Sequence, residues 1–236
     1  GYIHPNYNKE KVHLCRYADD FIVTAKNKET LLEIQQMIEK FMEERGLKLS
    51  EEKTVITNIN DGFDFLGWNF RKFKEKLLIQ PSRKSKQKVT KSLSRTVKYY
   101  HEASQELLII KLNQITRGWA EYHHCVCAKK TYALIDHRLW EMLWKWAKRR
   151  HPRKGKKWIK NRYWHPKGNR EWSFRTDRAI LYQMMDMPIV RIRSLDLKKN
   201  PFLDSDYFER RRKQHKKDKE TAYFSSTAAL SGYYAL

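Results

Sequence analysis

Short alternating apolar runs fill the first 80 residues, and helical periodicity takes over after Pro81-Ser82. Val12-His13-Leu14-Cys15 and Phe21-Ile22-Val23 flank Tyr17-Ala18-Asp19-Asp20, which predicts a tight hairpin over residues 12–25. Asn27 can cap a following helix. In that helix Leu31, Ile34, Ile38, Phe41 and Met42 recur on one face, and Gly46 is a good stop. Leu47-Lys48-Leu49 alternates and Thr54-Val55-Ile56-Thr57 is β-branched, giving two short strand candidates. Asp61-Gly62 signals a turn. Phe63 to Phe73 alternates around Gly67, and Leu77-Leu78-Ile79 pairs with it as a second hairpin. The order β-β-α-β, then β-β, is part of an α+β sheet domain.

After Pro81-Ser82 three helices are expected. The first, over 82–101, carries many lysines and few acids; the second runs from about Ser104 to His124 and the third from about Thr131 to Arg149. The second would bury Leu108, Leu112, Ile115, Trp119 and Tyr122; the third Ile135, Leu139, Met142, Leu143 and Trp146. Three consecutive helices suggest a small bundle. From His151 to Thr176, Pro152, Gly155, Pro166 and Gly168 break helices, and Trp158, Tyr163, Trp164, Trp172 and Phe174 are scattered among basic residues. Residues 189–193 (IVRIR) are a strand candidate, and 205–220 a charged helix containing Arg210-Arg211-Arg212-Lys213. The tail from Phe224 to Leu236 suggests no function. The domains expected are 1–80, 81–150 and 151–236.

Charge divides the chain at the same place. Residues 1–80 hold 13 basic and 13 acidic residues, whereas 81–236 hold 37 and 14 and carry the whole net +23. Seven of the eight tryptophans also lie after residue 80. A basic, aromatic-rich segment beside a neutral one suggests a catalytic piece joined to a polyanion-binding piece; the bland alternative is a solubilising basic surface. Lys84, Lys88, Lys91, Arg95 and Lys98 follow three- and four-residue steps and share a helix face that can track a phosphate backbone. Basic side chains alternate with aromatics over 149–175, a composition that holds RNA by charge and stacking, although about half of those tryptophans serve packing. Cys15, Cys125 and Cys127 give no disulfide framework, and the C-x-C spacing after His123-His124 favours thiols on a helix over a zinc site. No apolar run is long enough to span a membrane. The start of the chain shows no leader pattern, so the cytosol is expected, or an organelle where a leader lies upstream.

Adjacent carboxylates at a hairpin tip suit Mg²⁺, a hard cation that prefers oxygen ligands; the alternative is a solvated Asp-Asp turn. Arg16-Tyr17-Ala18-Asp19-Asp20-Phe21 resembles the YADD motif of reverse transcriptases. Gly46-Leu47-Lys48-Leu49-Ser50-Glu51-Glu52-Lys53-Thr54 resembles the next block of that palm domain, and Phe63-Asp64-Phe65-Leu66-Gly67-Trp68 the primer-gripping hairpin after it. Arg117-Gly118-Trp119-Ala120-Glu121-Tyr122-His123, and Leu139-Trp140 through Trp146-Ala147-Lys148-Arg149-Arg150-His151, are similar to the thumb, or maturase X domain, of group II intron-encoded proteins. Asn200-Pro201-Phe202-Leu203-Asp204 and the basic run after it resemble the approach to their DNA-binding region. The resemblance covers about residues 10 to 215.

The resemblance implies an α+β fold: part of a reverse-transcriptase palm sheet, then a helical thumb. It implies an RNA-directed DNA polymerase and maturase that binds intron RNA, assists splicing and uses Mg²⁺ held by Asp19 and Asp20. Tyr17, Phe65, Leu66, Gly67 and Trp68 would face primer or nucleotide, although aromatics in a hairpin also pack cores. Lys84, Lys88, Lys91, Arg95, Lys98, Arg117, Arg149, Arg150, Lys154, Lys156, Lys157 and Arg162 would bind nucleic acid. The expected partners are group II intron RNA, primer or target DNA, and a separate chain supplying the fingers and N-terminal palm. Those upstream blocks, with the family's remaining metal-binding aspartate, are not among these 236 residues, so the isolated chain is expected not to polymerise. Asp64 is the only nearby substitute, and a surface or structural role suits it better. No cysteine follows residue 127, unlike relatives ending in a cysteine-containing HNH endonuclease. The rival readings are a non-catalytic RNA-binding splicing factor and an inactive or split fragment.

Overall fold

The computed structural model describes residues 11–50, 52–196 and 198–231, with side chains as far as residue 222. Glu51 of the second sequence block lies outside the described residues, and so do the side chains of the tail from Phe224. The fold is α+β, and the chain divides into two compact units: Gly1–Phe65 with Phe70–Leu77, and Leu66–Asn69 with Leu78–Leu236.

The first unit opens with the expected hairpin. Strands β1 (His13–Tyr17) and β2 (Asp20–Thr24) pair antiparallel, with Tyr17 opposite Asp20. Only Ala18 and Asp19 are left for the loop, and Ala18 takes a left-handed φ of +53°. Two-residue hairpin loops require positive φ because that backbone twist matches the twist of the strands. Helix α1 (Lys28–Glu43) starts after Asn27, whose side chain accepts the Thr30 hydroxyl at 2.9 Å and makes no bond to a backbone N–H. The helix ends where Gly46 reaches φ +68°; the Gly46 N–H bonds the Glu43 carbonyl and the Leu47 N–H the Met42 carbonyl, the paired bonds of a Schellman stop.

Neither Leu47–Leu49 nor Thr54–Thr57 is a strand, contrary to the alternation there. Strand propensity acts only where a neighbouring edge accepts the backbone bonds, and among the described residues none pairs with these segments. No described residue of the first unit is buried, and α1 contributes no buried side chain.

Strands β3 (Phe63–Phe65), β4 (Trp68–Phe73) and β5 (Lys76–Pro81) form a sheet in that order. Leu66 and Gly67 join β3 to β4 with φ of +48° and +79°, the two positive values of a type I′ turn.

The second unit holds the apolar core. Helix α2 (Arg83–Tyr99) packs against both α3 (Gln105–His123) and α4 (Lys129–Arg150). Val89, Leu93 and Val97 from α2 meet Leu108, Ile109 and Leu112 from α3 and Ile135, Leu139 and Leu143 from α4. Ser82 and Ser104 cap α2 and α3, accepting the N–H groups of Ser85 at 3.1 Å and Leu107 at 3.2 Å. Tyr122 is not buried as its spacing implied: it stays 49% exposed and donates its hydroxyl to the Leu66 carbonyl at 2.6 Å. His123 is the buried one, at 0% exposure. Cys125 and Cys127 sit in the turn after α3 rather than on a helix.

The helix breakers of 151–176 bound real elements. Gly155 precedes α5 (Lys156–Tyr163), and β6 (Trp164–Lys167) and β7 (Arg170–Phe174) form a hairpin. Tyr163, Trp164 and Phe174 are buried in the core, so only Trp158 and Trp172 of that set stay exposed. Trp164 lies 5.1 Å from Phe174 and 5.3 Å from Trp144 between ring centroids. A single 3₁₀ turn follows at Met184–Asp186. Residues 189–193 form no strand; Val190 makes one backbone bond, to the His124 carbonyl. Helix α6 (Ser205–Ser231) runs past the predicted end.

Candidate nucleic-acid interface

Helix α2 shows two opposed faces. Val89, Leu93 and Val97 point into the core, while Lys84, Lys88, Lys91, Arg95 and Lys98 are all exposed. At 1.5 Å per residue that charged row is about 21 Å long. None of the five forms an ion pair among the described residues. The first turn of α2 has no acid and holds Arg83, Lys84 and Lys86. Basic residues there oppose the helix dipole, each at a cost of roughly 0.3–1 kcal/mol at low salt. A helix designed only for stability would carry acids at those positions, so the row suits an external polyanion.

The other predicted cations differ in availability. Arg149, Lys156, Lys157 and Arg162 are exposed, the middle two in the first turn of α5. Lys154 is exposed over the Trp158 ring, 5.4 Å from its centroid. Arg150 is tied down: it donates to the carbonyls of His101 and Ala103 at 3.0 and 2.8 Å and covers the Trp146 ring. Arg117 lies over Tyr182 at 4.8 Å from the ring centroid.

Leu66, Gly67 and Trp68 are held by contacts within the second unit. The Gly67 carbonyl accepts the Ser82 N–H at 2.9 Å, and Trp68 stacks on Tyr122 at 5.3 Å. Trp68 also anchors a polar network invisible in the sequence. The Trp68 indole N–H donates to His123 Nδ1 at 3.0 Å, so that nitrogen carries no proton. Nε2 is therefore the protonated nitrogen, and it faces Ser85 Oγ at 3.1 Å. The Trp119 indole N–H donates to the same oxygen at 3.1 Å. Burial lowers the His123 pKa from 6.5 to about 4. His123 thus remains neutral and joins β4, α2 and α3 beneath the charged row.

Asp19 and Asp20 occupy the β1–β2 tip, one in the loop and one opening β2. Both carboxylates are exposed, as is Tyr17. Phe65 closes β3 and is half-buried. Two adjacent hard oxygen donors fit Mg²⁺, which binds through one or two carboxylates while substrate phosphates and waters complete its octahedron. Among the described residues no group of three or more His, Cys, Asp or Glu gathers, so Asp64 on β3 does not join the pair as a third ligand.

Two family models match the chain on either side of the sheet–helix boundary. The reverse transcriptase (RNA-dependent DNA polymerase) family matches residues 2–70, and the group II intron, maturase-specific domain matches residues 83–164. The chain belongs to the group II intron reverse transcriptase/maturases. Comparison with the curated proteins finds no match. The Asp19-Asp20 hairpin falls in the reverse-transcriptase match, and the charged row of α2 falls in the maturase-specific match. The sequence had marked both. It missed His123, because a His at a helix end is ordinary until Trp68, Ser85 and Trp119 are seen around it.

Proposed function

We propose that this chain works as part of a group II intron-type RNA-directed DNA polymerase and maturase: it binds intron RNA, assists splicing and supports reverse transcription. The charged row of α2 carries the reading, because five exposed, unpaired cations line one face of a helix that belongs to the maturase-specific match. Lys84, Lys88, Lys91, Arg95 and Lys98 take successive phosphates and release their counterions. Arg117, Arg149, Lys154, Lys156, Lys157 and Arg162 extend the interface. Arg150 shapes it by fixing the α2–α3 connection. Residues 1–80 act as the palm portion and the helices after them as the thumb.

Asp19 and Asp20 would hold Mg²⁺ at the polymerase centre, and the bound ion would supply charge stabilisation to the reacting phosphates. Tyr17 and the turn from Phe65 to Trp68 orient the primer strand. Two-metal transfer needs a further carboxylate beside Asp19 and Asp20, which the described residues do not gather.

Paired splicing and cDNA-synthesis assays on the assembled enzyme test this. Asp19→Ala/Asp20→Ala should abolish cDNA synthesis and leave splicing assistance intact. Lys88→Gln/Lys91→Gln/Arg95→Gln should weaken splicing. If the aspartate variant changes neither activity, the chain is a splicing factor with no part in polymerisation.

A further inference from the structure

A cleft of about 440 Å³ in the second unit lies between α3, the β6–β7 hairpin and the segment 178–186. That volume falls in the range of small-ligand sites and exceeds what one bare phosphate fills. Arg117, Lys167, Arg170 and Arg178 line it, with Asp186 as its one acid. Asp186 is already matched, because Arg170 grips its carboxylate with two hydrogen bonds, one of 2.7 Å. Arg117, Lys167 and Arg178 have no ion-pair partner among the described residues. Three positive charges therefore converge on a concave surface without an answering anion.

The walls are held in place before any ligand arrives. The Asn113 side chain donates to the Ile180 carbonyl at 2.8 Å and accepts the Tyr182 N–H at 2.7 Å, which fixes the backbone across the floor. Stacking over Tyr182 orients the Arg117 guanidinium. Leu181, Tyr182 and Gln183 also wall an adjoining groove of about 220 Å³ that Trp140, Trp164 and Trp172 line. Cations on one side of a shared wall and indole rings on the other match the two parts of a nucleotide.

We propose that this cleft seats one nucleotide of a single-stranded RNA segment, with its phosphate among Arg117, Lys167 and Arg178 and its base toward the tryptophan groove. The site adds to the α2 surface and rests on the nucleic-acid-binding reading of that surface. Lys167 and Arg178 lie outside both family matches, so neither match assigns them a role.

The test is equilibrium binding of a fluorescent single-stranded RNA to the 236-residue chain across a salt series, with thermal melting to verify folding. Lys167→Gln/Arg178→Gln should weaken binding on the order of tenfold. It should also flatten the log–log salt dependence by up to about 0.7, the value for one lost single-strand phosphate contact. The charge-preserving Lys167→Arg/Arg178→Lys should recover most of the affinity. If the Gln pair binds RNA as the wild type does while Lys88→Gln/Lys91→Gln binds weakly, the cleft proposal fails and the α2 reading stands. If the wild type does not bind RNA, both fail. Inorganic phosphate is the second probe: if it protects Arg178 from phenylglyoxal modification and the RNA does not, the cleft takes free phosphate and the nucleotide assignment is overturned.

Discussion

Acidification should destabilise the helical unit through His123, and the size of the effect follows from its hydrogen bonds. In the fold Nδ1 accepts the Trp68 indole N–H, so a proton there would set N–H against N–H in a site with 0% exposure. The folded state refuses the proton down to about pH 4, whereas the unfolded chain takes it near the ordinary value of 6.5. A histidine with a depressed folded pKa contributes stability that is present above 6.5 and lost as pH falls toward 4. The full difference is about 3 kcal/mol, and about 2 kcal/mol of it is gone at pH 5. Asp136 works in the opposite direction. Burial raises its pKa from 3.8 to about 6, although it accepts the N–H groups of Met184 and Met185. It therefore contributes stability at low pH that is lost as pH rises through 6, worth about 1 kcal/mol at pH 5. The two contributions partly cancel between pH 7.5 and pH 5, and a variant is needed to separate them. His123→Gln keeps an amide in the network and removes the titration. All eight tryptophans belong to the second unit, so tryptophan fluorescence during urea unfolding reads that unit. The wild-type advantage over His123→Gln should shrink by about 2 kcal/mol between pH 7.5 and pH 5. An advantage that stays constant within about 0.5 kcal/mol would refute the neutral, buried His123.

Two local changes check the packing around the charged row. Ser82→Ala removes the cap that accepts the Ser85 N–H and should lower the second unit's unfolding free energy by about 1 kcal/mol in urea titrations. Gly67→Ala has room, since an added Cβ would meet Tyr122 only at 3.8 Å. The strain at φ +79° should still cost roughly 1–2 kcal/mol, visible as a lower melting temperature of the second unit.

Legibility in the sequence followed the range of the interactions. Elements fixed by neighbours in the chain were readable: the hairpin around Ala18-Asp19, the Gly46 stop and the charged face of α2. Strand propensity at Thr54–Thr57 and 189–193 misled, because a strand exists only when a distant edge completes it. About half of the tryptophans over 149–175 were expected to pack, but of Trp158, Trp164 and Trp172 only Trp164 is buried, and its burial against Trp144 depends on contacts 20 residues apart. Arg150 looks identical to Arg149 in the sequence. Only the fold shows that one of them holds the carbonyls of His101 and Ala103. The basic cleft was invisible for the same reason, because Arg117, Lys167 and Arg178 come from three separate segments.

The salt dependence of intron RNA binding tests the central claim most directly. If the α2 row tracks phosphates, Lys88→Gln/Lys91→Gln/Arg95→Gln should flatten the log–log salt slope by about 2 to 3. Asp19→Ala/Asp20→Ala should leave that slope unchanged. A wild-type slope that survives loss of the three α2 cations would contradict the account.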